Sequence, residues 1–359
     1  MKKIILIIVL MFFTTGCYDY MELNDLSIIS GIAIDKDGDK YKVTFEILSD
    51  QKSGQETTTG DAITVNGSGT TIADAFNNAS KEVPKLAFYP HLKVLVLSED
   101  IAKEKMFDIV DYVLRSPRIR NEFYVVITKE DKASDIFTKA SSDIKVVSSQ
   151  IETMIKNNPR RKNNASPYTF EEIAEEFLNK RTDTAITAIN LKNKEISIEG
   201  LAVFNNYKLS GFLSSDGAYA YNIMIENAKN IQYTFSCGEE KNITLSIYDA
   251  SPKIKITEDK KIEINLDVKA SIVEYNCDKS LKDPKTYAYF NKKYDSKINK
   301  NIEDFYKEIL NKKTDILGIE DIYYRETRKN IDWTELDYKI NTNLKINNAG
   351  LIFEVKNDN

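Results

Sequence analysis

Histidine is nearly absent from this chain, and its scarcity excludes several kinds of active site. The 359 residues contain one histidine, His91, and three cysteines. Serine and cysteine hydrolases need a nucleophile beside a histidine, and the sequence has neither a Gly-x-Ser-x-Gly nor a His-Glu-x-x-His motif. A zinc site of the usual histidine and cysteine type needs more such ligands than this chain offers. The sequence therefore predicts a protein that is not an enzyme and binds no cofactor or metal, with His91 a hydrogen-bonded residue at a strand edge.

Long apolar runs and an excess of basic residues are also missing. Beyond the N-terminus no stretch approaches the roughly 18 consecutive apolar residues of a membrane-spanning helix, so no transmembrane domain is predicted there. The formal net charge is −5, whereas nucleic-acid binding needs a basic footprint. Nucleic acid is therefore not an expected partner. Arg160, Arg161 and Lys162 form one short basic loop, for which solvation is a simpler interpretation than contact with anionic headgroups.

The N-terminus is the one strongly apolar segment of the chain. Two lysines precede an unbroken apolar run from Ile4 to Phe13, which has the length of a secretory signal peptide. Thr-Gly-Cys follows and ends at Cys17, an arrangement that resembles a bacterial lipobox. We therefore expect a lipoprotein signal peptide over residues 1–16, a diacylglyceryl group on Cys17 and attachment to membrane lipid. The alternatives are an ordinary signal peptide in which Cys17 is incidental and an uncleaved membrane anchor.

Two further cysteines, Cys237 and Cys277, lie in the second half of the chain. In an extracytoplasmic protein such a pair suits a disulfide, which here closes a loop of about 40 residues. Two free thiols in neighbouring strands are the alternative, and the residues alone leave both open.

The pattern of apolar residues divides the mature chain into two parts. Residues 17–194 alternate strands with amphipathic helices, which predicts an α/β region of two subdomains. Residues 195–359 contain several strands and then a long helix over about 284–312, whose apolar residues recur every three or four positions from Tyr287 to Ile309. The expected fold class is α+β, with mixed sheets, packed helices and about three domains in all.

Several local signals predict individual elements. Asp37-Gly38 stands between two strand-like runs and predicts a hairpin. Gly67 and Gly69 precede a helix that starts near Thr70, and we interpret them as a turn and helix cap because no complete phosphate-binding motif is present. A helix with Leu114 on its apolar side and helical structure over 132–157 follow. Thr169 and Glu172 fit a capping box.

Five segments, taken in order, are similar to one family. They are "ELNDLSIISGIAID" (22–35), the block from "GSGTTIADAF" to "LSEDIAKE" (67–104), "YVLRSPRIRNEFYVVIT" (112–128), "GLAVFNNYKLSGFLS" (200–214) and "DILGIEDIYYR" (315–325). Together with the lipobox they resemble the Ger(x)C family, the C-subunit lipoproteins of bacterial spore nutrient germinant receptors.

The resemblance implies a subunit of a germinant receptor, held on the outer leaflet of the spore inner membrane. Its implied partners are the integral membrane A and B subunits of the receptor, and no catalytic activity is implied. Cys17 is the only site residue that the resemblance carries over. The rival hypothesis is a solute-binding lipoprotein of a transporter, although such proteins usually have two doubly wound lobes.

Overall fold

A broad mixed sheet occupies the first part of the chain. The computed structural model describes residues 22–48, 62–160, 164–226 and 231–348. Nine strands form the first sheet in the order β3-β2-β1-β5-β6-β7-β8-β9, with β4 paired to the start of β1. Their bounds are β1 Leu26–Asp37, β2 Lys40–Leu48, β3 Ala62–Gly69, β4 Leu86–Phe88, β5 Val94–Leu97, β6 Tyr124–Thr128, β7 Thr184–Lys192, β8 Glu195–Asn205 and β9 Lys208–Leu213.

The centre of this sheet is parallel and its flanks are antiparallel. β1, β5, β6 and β7 pair in parallel, and β5 is the buried run Val-Leu-Val-Leu. Such runs are typical of strands that are covered on both faces. At one flank the predicted hairpin joins β1 to β2, and Gly38 supplies the left-handed backbone of its turn at φ 60°.

Helices cover both faces of the first sheet. Leu95 and Leu97 face one hydrophobic cluster, whereas Val94 and Val96 face another, as the alternation of a strand requires. The first cluster contains side chains of α1 (Ile72–Lys81), α2 (Glu99–Glu104), α3 (Met106–Arg115) and α6 (Phe170–Leu178). The second contains side chains of α4 (Ser134–Thr138) and α5 (Val147–Asn157).

A second sheet of four strands occupies the last part of the chain. Its order is β10 (Ile231–Gly238), β11 (Lys241–Ile256), β12 (Ile262–Tyr275) and β13 (Tyr338–Asn348). The long helix α8 (Pro284–Lys312) packs on one face, as its apolar spacing predicts, beside α7 (Ser215–Met224). A last helix, α9 (Ile319–Thr327), follows α8, and β13 then pairs in parallel with β12.

The fold class is the expected one: a multidomain α+β chain of mixed sheets with packed helices. The division predicted after residue 194 falls in the turn between β7 and β8, two paired strands of the first sheet. One hydrophobic cluster includes Leu201 and Leu213 of that sheet together with Phe290 and Phe305 of α8. The core is therefore continuous where the two parts meet. Within the described ranges, no helix combines the length and apolarity that crossing a bilayer requires.

Two local predictions were wrong in detail. The helical segment over 132–157 is two helices, α4 and α5, separated by an irregular stretch. Leu114 is 43% exposed, whereas the neighbouring Val113 is buried, so Leu114 is not part of the buried side of α3. The predicted capping box of Thr169 and Glu172 is confirmed at the start of α6.

Gly67 and Gly69 lie in a strand, not in the predicted turn, and Thr71 is the cap of α1. The reason for glycine is the close approach of α1 to β3. A Cβ at Gly67 would lie 2.1 Å from the backbone nitrogen of Ala79, and a Cβ at Gly69 would lie 2.4 Å from that of Ala75. Only a residue without a side chain lets the helix pack this closely on the strand.

Gly67→Ala should therefore destabilise the chain, although alanine normally suits a strand no worse than glycine. We expect the free energy of unfolding, measured by denaturant titration, to fall by about 1–3 kcal/mol as α1 is displaced. Gly238→Ala in β10 is the matched control, since its Cβ would meet nothing closer than 3.7 Å. Equal effects of the two substitutions would contradict this account.

Candidate functional site

A polar cleft of about 270 Å³ lies where the two sheets meet. One wall is formed by residues 180–183, which lead into β7, and by Asn205 and Asn206 at the turn between β8 and β9. The other wall is formed by Lys313, Asp315 and Glu320 around the start of α9, together with residues 332–334. The cleft therefore joins segments that are more than a hundred residues apart in the sequence.

Asp183 connects the two walls. Its Oδ2 accepts a hydrogen bond from the backbone N–H of Asp315 at 2.7 Å, and its own backbone N–H donates to the carbonyl of Asp315 at 3.1 Å. Its Oδ1 accepts from the backbone N–H of Asn206 at 2.9 Å. One side chain thus satisfies backbone donors from both parts of the chain.

Asp315 caps the last helix. Its carboxylate accepts bonds from the backbone N–H groups of Ile319 and Glu320, both at 2.8 Å. The residue at the N-cap position, Gly318, offers no side chain and takes φ 66°, a left-handed conformation that suits glycine. The segment Asp315-Ile-Leu-Gly318 therefore turns the chain from α8 into α9 and supplies the cap from outside the helix.

Burial sets the electrostatics of this cluster. Asp315 is 4% exposed, and burial raises its pKa to about 7, although the two backbone N–H groups and the helix dipole favour its ionised form. Burial also raises the pKa of Asp183 and of Glu320, against the backbone N–H bonds to Asp183. In the first part of the chain, burial raises the pKa of Glu176 to about 7, and the hydroxyl of Thr184 donates to that carboxylate.

The cations of the cleft are less constrained than its carboxylates. The guanidinium of Arg181 stacks 3.6 Å from the ring centre of Tyr324. Its buried Nε atom has no hydrogen-bond partner among the described residues. Lys313 takes a left-handed backbone at the end of α8, and its carbonyl accepts from the side chain of Asn205 at 2.6 Å. The residues that line the cleft therefore include both acidic and basic side chains. The hydrogen bonds that the carboxylates of Asp183 and Asp315 accept all come from backbone N–H groups, so these two side chains position the backbone.

Two more buried carboxylates cap helices from a distance. Asp35 at the end of β1 accepts from the backbone N–H groups of Ala133 and Ser134 at the start of α4. Glu46 of β2, only 1% exposed, accepts from Val147 and Ser148 at the start of α5 and from the hydroxyl of Ser30. Neither helix has a side-chain cap of its own.

A buried asparagine cluster fastens the segment before α6. Asn158 accepts from the backbone N–H of Ala165 at 2.8 Å and donates to the side chain of Asn164 at 3.0 Å. Asn164 donates to the carbonyl of Ile198 in β8, and Asn222 of α7 donates to the carbonyl of Ala165. The polar composition of this segment indicated a solvated loop, yet Asn158 and Asn164 are buried.

The structure places the predicted site residues as follows. Cys17, Arg161 and Lys162 lie outside the described residues, as does the side chain of Arg160. His91 is exposed and lies between β4 and β5, with its ring 5.6 Å from that of Phe88. The sulfur atoms of Cys237 in β10 and Cys277 after β12 are joined as a disulfide, with Cα atoms 5.9 Å apart.

Asp183 and Asp315 were not predicted as site residues. Asp315 lies three residues before the N-cap Gly318, outside the N-cap position at which sequence rules look for a capping side chain. No local pattern indicates that Asp183 is its partner, because 132 residues separate the two. Within the described residues, no group of three or more histidine, cysteine, aspartate or glutamate side chains is arranged to hold a metal ion.

Comparison with known proteins identifies the family. A family model described as the spore germination protein N-terminal domain matches residues 19–191. A second model, described as spore germination B3/GerAC-like, C-terminal, matches residues 199–350. The chain belongs to the Ger(x)C family of spore germination proteins. The resemblance seen in the five sequence segments is thereby confirmed.

Individual relatives of this Ger(x)C protein agree with the family models. Spore germination protein GerQC of Bacillus cereus is 24% identical over 98% of this chain and 99% of its own length. Spore germination protein KC of Bacillus subtilis is 23% identical over 87% of this chain and 84% of its own. The crystal structure of the GerBC protein has the same fold, with a TM-score of 0.53, 19% identity and coverage of 88% of this chain and 96% of that one.

Two of the five family-like segments meet in the cleft. Asp315 and Glu320 belong to "DILGIEDIYYR", and Asn205 and Asn206 belong to "GLAVFNNYKLSGFLS". These two segments are far apart in sequence but line the same cleft, at the junction between the two sheets. The junction is therefore our candidate functional site.

Asp315→Asn should change how stability depends on pH. The pKa of Asp315 is raised from its ordinary 3.8 to about 7 in the folded chain, so the folded state binds this proton more tightly than the unfolded state. The protonated Asp315 therefore adds to the free energy of unfolding. This stabilisation is fully present below about pH 4 and is lost as the pH rises through about 7. Relative to Asp315→Asn, the wild type should lose up to about 4 kcal/mol of unfolding free energy across this range.

The measurement is denaturant unfolding of both proteins at a series of pH values. Glu176, Asp183 and Glu320 are present in both proteins, so the difference between the two curves reports Asp315 together with its electrostatic coupling to Asp183 and Glu320. Asp304→Asn, at an exposed position on α8, is the control and should retain the wild-type curve. Parallel curves for the wild type and Asp315→Asn would contradict the prediction.

The disulfide between Cys237 and Cys277 leads to a separate prediction. Neither thiol should react with iodoacetamide in the unfolded, unreduced chain, and both should react after reduction. Since the bond closes a separation of 40 residues, replacing both cysteines with serine should lower the free energy of unfolding by about 4 kcal/mol in the chain-entropy model. Full labelling before reduction would favour the free-thiol alternative.

Proposed function

We propose that this chain is the lipoprotein subunit of a spore nutrient germinant receptor. The observation that carries the proposal is the pair of spore germination family models, which together span residues 19–191 and 199–350. Two relatives named spore germination proteins, GerQC and KC, match over 98% and 87% of this chain, not over one module. We place the protein on the outer leaflet of the spore inner membrane, assembled with the two integral membrane subunits of the receptor.

The proposed anchor is the diacylglyceryl group on Cys17. Four residues separate Cys17 from Glu22, where the described structure begins, so the two Cα atoms are five residue steps apart. A fully extended chain covers at most about 3.6 Å per residue, so Glu22 lies within about 18 Å of the lipidated cysteine. The start of β1 is therefore held close to the membrane surface.

We propose that the subunit acts through assembly and not through catalysis. The carboxylates of Asp183 and Asp315 accept hydrogen bonds from backbone N–H groups of two distant segments. Those bonds position chain segments, and such a role favours a rigid body that presents surfaces to partners. The rival hypothesis, a solute-binding lipoprotein of a transporter, has less support because the matching families are spore germination proteins.

The test is a germination assay on spores that lack the gene, across amino acids and other nutrients. We expect the response to a particular nutrient mixture to be lost or slowed, with sporulation and nutrient-independent germination unchanged. Complementation with Cys17→Ala should restore the response only in part, because release from the membrane removes the high local concentration that tethering provides. Fractionation should show this variant leaving the membrane or remaining unprocessed.

Normal germination with every nutrient, in a strain without a homologous receptor, would contradict the receptor assignment and favour the transporter. A Cys17→Ala protein that stays as membrane-bound as the wild type would contradict the anchor alone.

A further inference from the structure

The exposed face of α8 carries a row of lysines that the apolar pattern of the helix does not explain. We call Lys285, Lys292, Lys293, Lys297, Lys300 and Lys307 the lysine stripe, and all six side chains are exposed. Their steps of one, three, four and seven residues keep them on one exposed side of α8. Lys293 and Lys297 lie at the edge of that side next to β10, since the Lys293 ammonium donates to the carbonyl of Ser236 at 2.7 Å and the Lys297 ammonium lies near the ring of Phe235. At 1.5 Å per residue, the stripe runs for about 33 Å.

The stripe is not neutralised by its neighbours. Among the described residues, no carboxylate lies within ion-pair distance of any lysine in the stripe. Two acidic residues of α8, Glu303 and Asp304, lie one helical turn from Lys300 and Lys307 without reaching ion-pair distance; Glu303 accepts from the side chain of Asn299 at 3.0 Å, and Asp304 is exposed. Asp295 accepts from the backbone N–H of Leu344, and Glu308 pairs with Lys312, so these two are turned away. An unpaired basic row stands out in a chain whose net charge is −5.

Aromatic rings lie beneath and beside the stripe. The Lys297 ammonium lies 5.2 Å from the ring centre of Phe235. Tyr289 is 42% exposed and lies between the ammonium groups of Lys279 and Lys293, at 4.7 and 5.8 Å from its ring centre. An exposed tyrosine among lysines is the combination found where proteins meet the headgroup layer of a membrane.

We infer that the lysine stripe lies against a membrane surface that contains anionic lipids. A straight row of about 33 Å suits a flat charged surface better than a pocket. The cations are all lysines, and a lysine is a mobile point charge that suits diffuse headgroups, whereas arginine provides the fixed two-pronged geometry of specific pairing. The inference rests on the proposed function, because it states how the membrane-held subunit is oriented.

The experiment uses the processed chain, residues 17–359, with Cys17→Ser so that no lipid is attached. Sedimentation is measured with phosphatidylcholine vesicles that contain or lack phosphatidylglycerol. We expect binding only to the phosphatidylglycerol vesicles, and loss of that binding at high salt, because exposed charges are screened within about 8 Å at physiological ionic strength. Since the anchor is absent, this result does not depend on whether Cys17 is lipidated.

Two variants, each with four lysines replaced, distinguish the effect of the lysine stripe from the effect of the total charge. The stripe variant replaces Lys292, Lys297, Lys300 and Lys307 with glutamine. The control replaces the same number of exposed lysines on the opposite face of the second sheet: Lys253, Lys255, Lys339 and Lys345. We expect the stripe variant to bind phosphatidylglycerol vesicles at least about tenfold more weakly than the control variant, given the usual contribution of each lysine near an anionic surface.

Lysine acylation mapped by mass spectrometry tests the unmutated chain. The stripe should lose reactivity on phosphatidylglycerol vesicles, whereas Lys253 and Lys339 should keep theirs. Equal binding by the two variants, or unchanged reactivity of the stripe, would overturn the inference. Retention on immobilised polyglutamate without any vesicle binding would assign the stripe to an acidic protein and would also overturn it.

Discussion

Buried carboxylates at the N-termini of helices are the constraint on which the arrangement of this chain depends. Among the helices that start without a side-chain cap of their own are α4, α5 and α9. Asp35, Glu46 and Asp315 supply the missing acceptors. A helix start left uncapped in the interior has backbone donors without partners, which costs about 1–3 kcal/mol each. Each of these helices is therefore held where its carboxylate lies. The positive end of the helix dipole also lets an acidic chain bury carboxylates without a cation beside them.

Buried carboxylates also connect the part of the chain that contains the first sheet to the part that contains the second. Asp183 and Asp315 exchange hydrogen bonds in both directions across the cleft, and the hydrophobic cluster beneath them contains residues of the first sheet and of α8. Hydrogen bonds fix the position of the segments, whereas the apolar cluster supplies most of the free energy. A subunit whose proposed role is assembly benefits from such a junction, because the surfaces of the two parts keep a fixed relation to one another.

Acidic and basic side chains lie in different parts of the structure. Several acidic side chains are turned inward to cap helices, whereas the six lysines of the lysine stripe on α8 are exposed and form no ion pair among the described residues. A net charge of −5 therefore conceals a basic face. The proposed lipid anchor at Cys17 and the proposed contact of this face with anionic lipids rest on different residues, so each can be tested without the other.

The sequence by itself determined the elements whose signals are local. The spacing of apolar residues located α8, Asp37-Gly38 located the first hairpin, and Thr169 with Glu172 located the start of α6, because each signal lies within a few residues of the structure it specifies. The order of five segments also identified the family. Only the tertiary structure decided that Asp183 bonds to Asp315, that Glu46 caps a helix a hundred residues away, and that Asn158 and Asn164 are buried. Gly67 is needed for a helix contact and not for a turn. In each of these cases the partner is distant in sequence, so the residue type shows what bond it can make but not which group will make it.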